Sequence, residues 1–142
     1  MLGNAMSRAA WSDDPLRLRE VLARTAALAC EHQLPSMIVG FAASEGDRLF
    51  PDFVAFIESE LRVEDAVFRL TRDRALLFLT DVEPAQARAI VERLGQGFRR
   101  EFPMVEAPPI RIRYFEVPRG TRDLTVKQVL PALFAPATPL DA

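Results

Sequence analysis

The chain has 142 residues, enough for one domain with a real core, and its 49% hydrophobic and 27% charged residues are ordinary for a globular protein. With 18 basic against 20 acidic residues the net charge is −2, so no bulk field favours nucleic acid. A single cysteine (Cys30), a single histidine (His32) and the lack of a Cys/His cluster argue against an internal disulfide or a zinc site. No run approaches the roughly 18 apolar residues that span a bilayer. The opening, Met1 to Trp11, has one arginine and no apolar leader core, so a cytoplasmic location without membrane contact is expected.

Residues 1–11 read as a flexible lead-in. Ser12-Asp13-Asp14-Pro15 then has the form of a helix start, with a capping side chain, early acids and a first-turn proline. Leu18, Val21, Leu22, Thr25, Leu28 and Ala29 recur at helical spacing, and the helix is expected to run to Leu34, before Pro35. Cys30 sits in this Ala/Leu-rich run as a buried, inert thiol, and His32 as a helix-end residue interacting with the dipole.

Ser36 to Ala43 is a short apolar run between Pro35 and Ser44-Glu45-Gly46-Asp47, the pattern of a buried strand. Pro51 to Leu61 fits a second helix, with Phe53, Val54, Ile57 and Leu61 on one face. Ala66–Leu70 and Ala75–Leu79 form a hairpin joined by residues 71–74, without a glycine to ease the turn. Asp81-Val82-Glu83-Pro84 starts a third helix with Ala87, Ile90, Val91 and Leu94 on its apolar face, weakened by Gly95 and Gly97. Ile110 to Tyr114 alternates as a half-buried strand. Asp123 to Phe134 is a last helix, broken or kinked at Pro131, and residues 135–142 are a flexible tail. The order α, β, α, β, β, α, β, α predicts an α/β (α+β) domain: a mixed, mostly antiparallel sheet with flanking helices, of ferredoxin-like or palm form.

From Gly46 onward the residues resemble the GGDEF (diguanylate cyclase-like) family. Gly46-Asp47-Arg48-Leu49 is similar to its "G-D-x-L" element. Leu61 to Leu70 is similar to the run "L-R-x-x-D-x-x-x-R-L" that leads into the signature, and Glu83 to Leu94 to "E-A-x-x-x-A-E-R-L". Ile110-Arg111-Ile112 and Asp123 to Val126 stand where the family has its last strand and terminal helix. The resemblance spans residues 36–134, with residues 12–34 as a preceding helix, and implies the nucleotide-cyclase palm.

The departures from the family pattern bear on activity. The signature position is held by Thr71, Arg72, Asp73, Arg74 and Ala75. In active relatives two glycines there let substrate approach the backbone, and carboxylates help hold Mg²⁺. Here Thr71 and Arg72 replace the glycines, Asp73 is the one acid left and Arg74 replaces the next. The strand end Gly40-Phe41-Ala42-Ala43 offers no metal-binding Asp, and the substrate-binding segment before Gly46 is nearly absent. The expectation is a degenerate domain that is not an enzyme, with no cofactor, metal or catalytic residue.

Arg62-Val63-Glu64-Asp65 retains the family's "R-x-x-D" element, the inhibitory site where Arg and Asp bind cyclic di-GMP. A guanidinium can fork onto phosphate or a guanine edge while a carboxylate accepts guanine N–H groups. Arg93 on the following helix is the candidate to complete it, with Arg88 as the alternative. An exposed Arg/Asp pair three apart is otherwise an ordinary surface ion pair. Arg99-Arg100 and Arg111/Arg113 suggest either an acidic-ligand patch or a solvated face, and Phe98, Phe102 and Phe115 an exposed interface. Asp13, Asp14, Glu58 and Glu60 are expected on polar surfaces. The resemblance thus implies a regulatory, protein-interaction domain in bacterial signalling, docking a protein partner or a second copy of itself. The alternative is a cyclic di-GMP receptor.

Overall fold

The structure is a computed structural model that describes residues 12–103 and 109–136. The expectations for residues 1–11 and 137–142 lie outside the described residues. The elements run α1 (Pro15–Glu31), β1 (Ser36–Ala43), α2 (Phe50–Ser59), β2 (Ala66–Thr71), β3 (Arg74–Thr80), α3 (Pro84–Glu101), β4 (Ile110–Val117) and α4 (Val126–Phe134).

Local chemistry sets the ends. Asp14 caps α1 by accepting the Leu16 amide at 2.9 Å, with Pro15 in the first turn. The helix stops at Glu31, three residues short of Leu34, because Gln33 takes a left-handed φ of 55°. Leu34 N–H then donates back to the Leu28 carbonyl at 3.1 Å, and His32 is the exposed C-cap. Cys30 is only half-buried. Asp47 holds the start of α2, its Oδ1 accepting from the amides of Leu49 (2.8 Å) and Phe50 (3.1 Å). Thr125 caps α4, which begins at Val126 rather than Asp123 and passes through Pro131 as one helix. Neither Gly95 nor Gly97 ends α3. A Cβ on Gly97 would lie 2.9 Å from the Phe56 ring, so this glycine lets α2 and α3 approach.

The sheet has the order β2-β3-β1-β4, and every neighbouring pair is antiparallel. Alternation along β1 sends side chains to two cores. Met37, Val39 and Phe41 join Leu77 and Leu79 of β3 beneath Phe53, Ile57, Val91 and Leu94 of α2 and α3. Ile38 joins Leu76, Phe78 and Val117 beneath Leu18, Leu22, Val129 and Leu133 of α1 and α4. Three layers result, with the sheet in the middle.

Being an edge strand, β4 leaves Ile112 38% exposed and extends to Val117. The other edge, β2, is covered where Asp13 N–H donates to the Arg69 carbonyl (2.8 Å) and Asp13 Oδ2 accepts the Arg69 amide (2.7 Å). The aromatic interface expected of Phe98, Phe102 and Phe115 is not exposed. Phe98 is buried against Phe53 and Phe102, and Phe102 and Phe115 pack onto the two cores. Among the described residues no helix is long and apolar enough to cross a membrane.

Candidate functional site

Two regions carry the residues singled out from the sequence. The first lies where the strand end of β1 meets the β2–β3 hairpin. The turn residues Arg72 and Asp73 carry no positive φ, and the pairing shifts between Arg69 and Thr71 instead. A bulge thus does what a glycine does in tighter hairpins. Asp73 is tied into this turn: its Oδ1 accepts the Thr71 hydroxyl at 2.8 Å, and its carbonyl accepts the Ala43 amide at 2.8 Å. Ala75 is buried and, with Arg69, Thr71, Arg72, Phe50 and Val54, lines a mostly apolar hollow of about 230 Å³ against α2.

Beside the turn opens a cleft of about 780 Å³, lined by Ala42, Ala43, Ser44, Glu45, Thr71, Asp73, Arg74 and Pro109 to Arg111. The register places Arg74 and Arg111 on either side of Ala42, and Arg113 beside Gly40. Arg74 rests its guanidinium 5.5 Å from the centre of the Phe134 ring. The family's Mg²⁺ does not fit this donor set. Its strand-end ligand positions carry methyl groups, Asp73 is bonded to Thr71, and two guanidinium groups face the cleft. Among the described residues no three His, Cys, Asp or Glu side chains group as a metal set.

The second region is the loop between α2 and β2. Arg62 and Asp65 do come together, as a forked pair with Nε–Oδ2 at 2.8 Å and Nη2–Oδ1 at 3.0 Å. The pair is not a free surface bridge. Asp65 is 3% exposed and also accepts the Thr80 amide (3.1 Å), while Arg62 Nη2 donates to the Thr80 carbonyl (2.8 Å). Thr80 Oγ1 donates to the Glu64 carbonyl at 3.0 Å. These bonds clamp the loop to the end of β3. Glu64 lies 3.0 Å from Arg62 Nε, and Asp81 adds to the local negative potential. The bond to Asp65 holds the Arg62 guanidinium above its ordinary pKa, more than burial lowers it.

Arg93 is exposed on α3 and makes no hydrogen bond or ion pair with Arg62 or Asp65. Arg88 is committed elsewhere, stacked 4.6 Å from the centre of the Tyr114 ring. Glu58 and Asp13, expected as solvated acids, have structural partners. Glu58 forks with Arg69 at 3.0 and 3.3 Å, and that bond holds its carboxyl below the ordinary carboxylate range. Sequence reasoning missed Thr80, which lies 15, 16 and 18 residues from Asp65, Glu64 and Arg62, and the placement of Arg74 and Arg111 on either side of Ala42. No local signal encodes either one, because the strand register creates both.

No protein-family model and no curated protein matches the chain. Solved structures do. PelD 156-455 from Pseudomonas aeruginosa PA14, in complex with cyclic di-GMP, superposes with a TM-score of 0.60 at 22% identity, over 78% of this chain and 41% of that one. The diguanylate cyclase SiaD from Pseudomonas aeruginosa, in complex with its activator SiaC, gives 0.65 at 18% identity, over 94% and 60%. The GGDEF domain of FimX from Pseudomonas aeruginosa gives 0.65 at 12% identity, over 86% and 88%. The chain spans 40% to 41% of the length of the PelD structures it matches. A four-stranded antiparallel sheet between two helix pairs, with the β2–β3 hairpin beside the end of β1, is the GGDEF-domain fold, and this chain has it.

Proposed function

We propose that this chain works by binding rather than by turnover, as a regulatory GGDEF-like domain that docks a protein partner in bacterial signalling. The observation that carries this reading is the cleft at the end of β1. Arg74 and Arg111 flank Ala42 there, where phosphoryl transfer would need converging oxygen ligands around a metal. A partner of this kind has a parallel in SiaD, which shares the fold and is seen with its activator SiaC. Docking would use the sheet edge, the hairpin or α1. The reading is tested by incubating the chain with GTP and Mg²⁺ or Mn²⁺. Wild type and Asp73→Ala should both give no cyclic di-GMP, and product that depends on Asp73 would overturn it.

A second reading, a cyclic di-GMP receptor using Arg62, Asp65 and Arg93, draws on the PelD complex and on the Arg62 side chain being 48% exposed. Ligand phosphate would have to displace Glu64 or the Thr80 carbonyl from the guanidinium, in a loop where one cation meets three carboxylates. Calorimetric titration of wild type against Arg62→Ala decides this. Heat that vanishes in the variant supports a receptor, and silence up to high micromolar ligand rejects it.

A further inference from the structure

The face of the sheet beneath α1 and α4 carries a groove of about 670 Å³ that no segment of the described chain fills. Phe68 and Leu70 of β2 line it between the N-terminal halves of α1 and α4. The two helical walls repeat one pattern. Leu18 and Leu22 stand four apart on α1 with Arg19 beside them, and Val126 and Leu130 stand four apart on α4 with Lys127 beside them. Residues four apart form a ridge along a helix, and two such ridges leave between them a trough that a third helix can enter. Leu70, Val126 and Leu130 are only half-buried, so apolar surface remains for that helix to cover.

The rim of the groove is positive. Arg19 and Lys127 are exposed and make no ion pair among the described residues. Helix α4 starts at the same rim, capped by the neutral pair Thr125 and Gln128 and without an acid in its first turn, so its dipole adds to the two cations. Among the described residues Asp13 is the one acid lining the groove. It is occupied by the Arg69 amide at 2.7 Å and by Arg17 at 4.0 Å.

We propose that this groove docks an amphipathic helix of a partner protein, its apolar stripe lying on Leu70, Val126 and Leu130 and its flanking acids meeting Arg19 and Lys127. Such a helix presents apolar residues at i, i+3, i+4 and i+7. A cation on each wall matches acids on both sides of that stripe and repels a basic helix. The proposal rests on the reading of the chain as a partner-binding domain. It deepens that reading by naming the surface and the partner's chemistry.

The test is fluorescence anisotropy of the full chain with two labelled synthetic helices of about five turns. Both carry leucine at i, i+3, i+4 and i+7; one is flanked by glutamate and the other by lysine. At low salt wild type should bind the glutamate helix and not the lysine helix. The double charge reversal Arg19→Glu with Lys127→Glu should weaken the glutamate helix by about tenfold or more and admit the lysine helix. Both positions are exposed, so this variant keeps the fold. Arg99→Glu, the same change in the helix layer on the opposite face, should leave binding unchanged.

The proposal is overturned if the glutamate helix fails to bind up to high micromolar protein, if the lysine helix binds equally, or if binding survives the double reversal. Binding of sodium dodecanoate but of neither helix would assign the groove to an acyl chain and overturn it too. So would sedimentation of wild type as a dimer that the double reversal separates, which would assign the groove to a second copy. No nucleotide is present, so a failure here removes this groove and leaves the non-catalytic reading standing. Product from GTP would overturn that reading without changing the anisotropy.

Discussion

Asp65 accepts from Arg62 and from the Thr80 amide, with 3% of its side chain exposed. Its removal would leave the Thr80 amide without that acceptor and take from Arg62 its forked partner. Asp65→Ala should therefore cost about 1–3 kcal/mol of stability, read as a lower denaturant midpoint, while Arg62→Ala costs less because water reaches the vacated site. The i, i+3 pairing was legible from the sequence. Its burial was not, because that depends on Thr80 arriving from the far end of the hairpin. Gly40 makes the same point from the other side. Nothing in a Val-Gly-Phe strand announces that α4 crosses there, yet a Cβ would meet Leu133 at 2.9 Å and the Phe134 ring at 3.2 Å. Gly40→Ala should destabilise by roughly 1–3 kcal/mol through overpacking, measurable by urea unfolding.

At the scale of elements, capping chemistry placed the starts of α1 and α3, whereas α4 starts three residues beyond Asp123 and α1 ends three residues before Leu34. Asp14-Pro15 marked α1 correctly, whereas Gln33, a residue that rarely adopts positive φ, ended it early. Pro131 signalled a break or a kink, and the helix runs through it without a break. Its missing N–H is one bond in a nine-residue helix, and burial of Val129, Leu133 and Phe134 outweighs that loss. The Thr125 side chain accepts the Gln128 amide at 3.2 Å, so Thr125→Ala should lower stability by about 1 kcal/mol by thermal unfolding.

Between α2 and β2, Glu58 has a pKa held below its ordinary 4.5, first by the Arg69 hydrogen bond and against the desolvation that raises it. A carboxylate lowered in the folded state binds fewer protons there than in the unfolded chain. Its contribution is therefore complete above pH 4.5 and is lost as pH falls through the folded value. The carboxylate is half exposed, so the effect stays below about 1 kcal/mol. Glu58→Gln should flatten the acid limb of the stability curve without moving its neutral plateau by more than that.

Over the whole molecule, one sheet serves two cores, each beneath its own helix pair. Leu76 faces α1 and α4, while its neighbour Leu77 faces α2 and α3; both are fully buried. Truncating either to Ala should cost about 2–5 kcal/mol, and each variant should still unfold in a single transition by far-ultraviolet dichroism and Tyr114 fluorescence. Separate transitions for the two faces would contradict a shared core.

The sequence by itself determined the order of elements, the continuous apolar run that makes β1 a buried strand, and the absence of carboxylates at its end. Each follows from side-chain type and period, which are local properties. Only the tertiary structure decided that Asp65 is a buried clamp bound to Thr80, and that Arg74 and Arg111 flank Ala42 on its two neighbouring strands. Those relations depend on strand register and sheet order, which bring together residues that no local pattern connects.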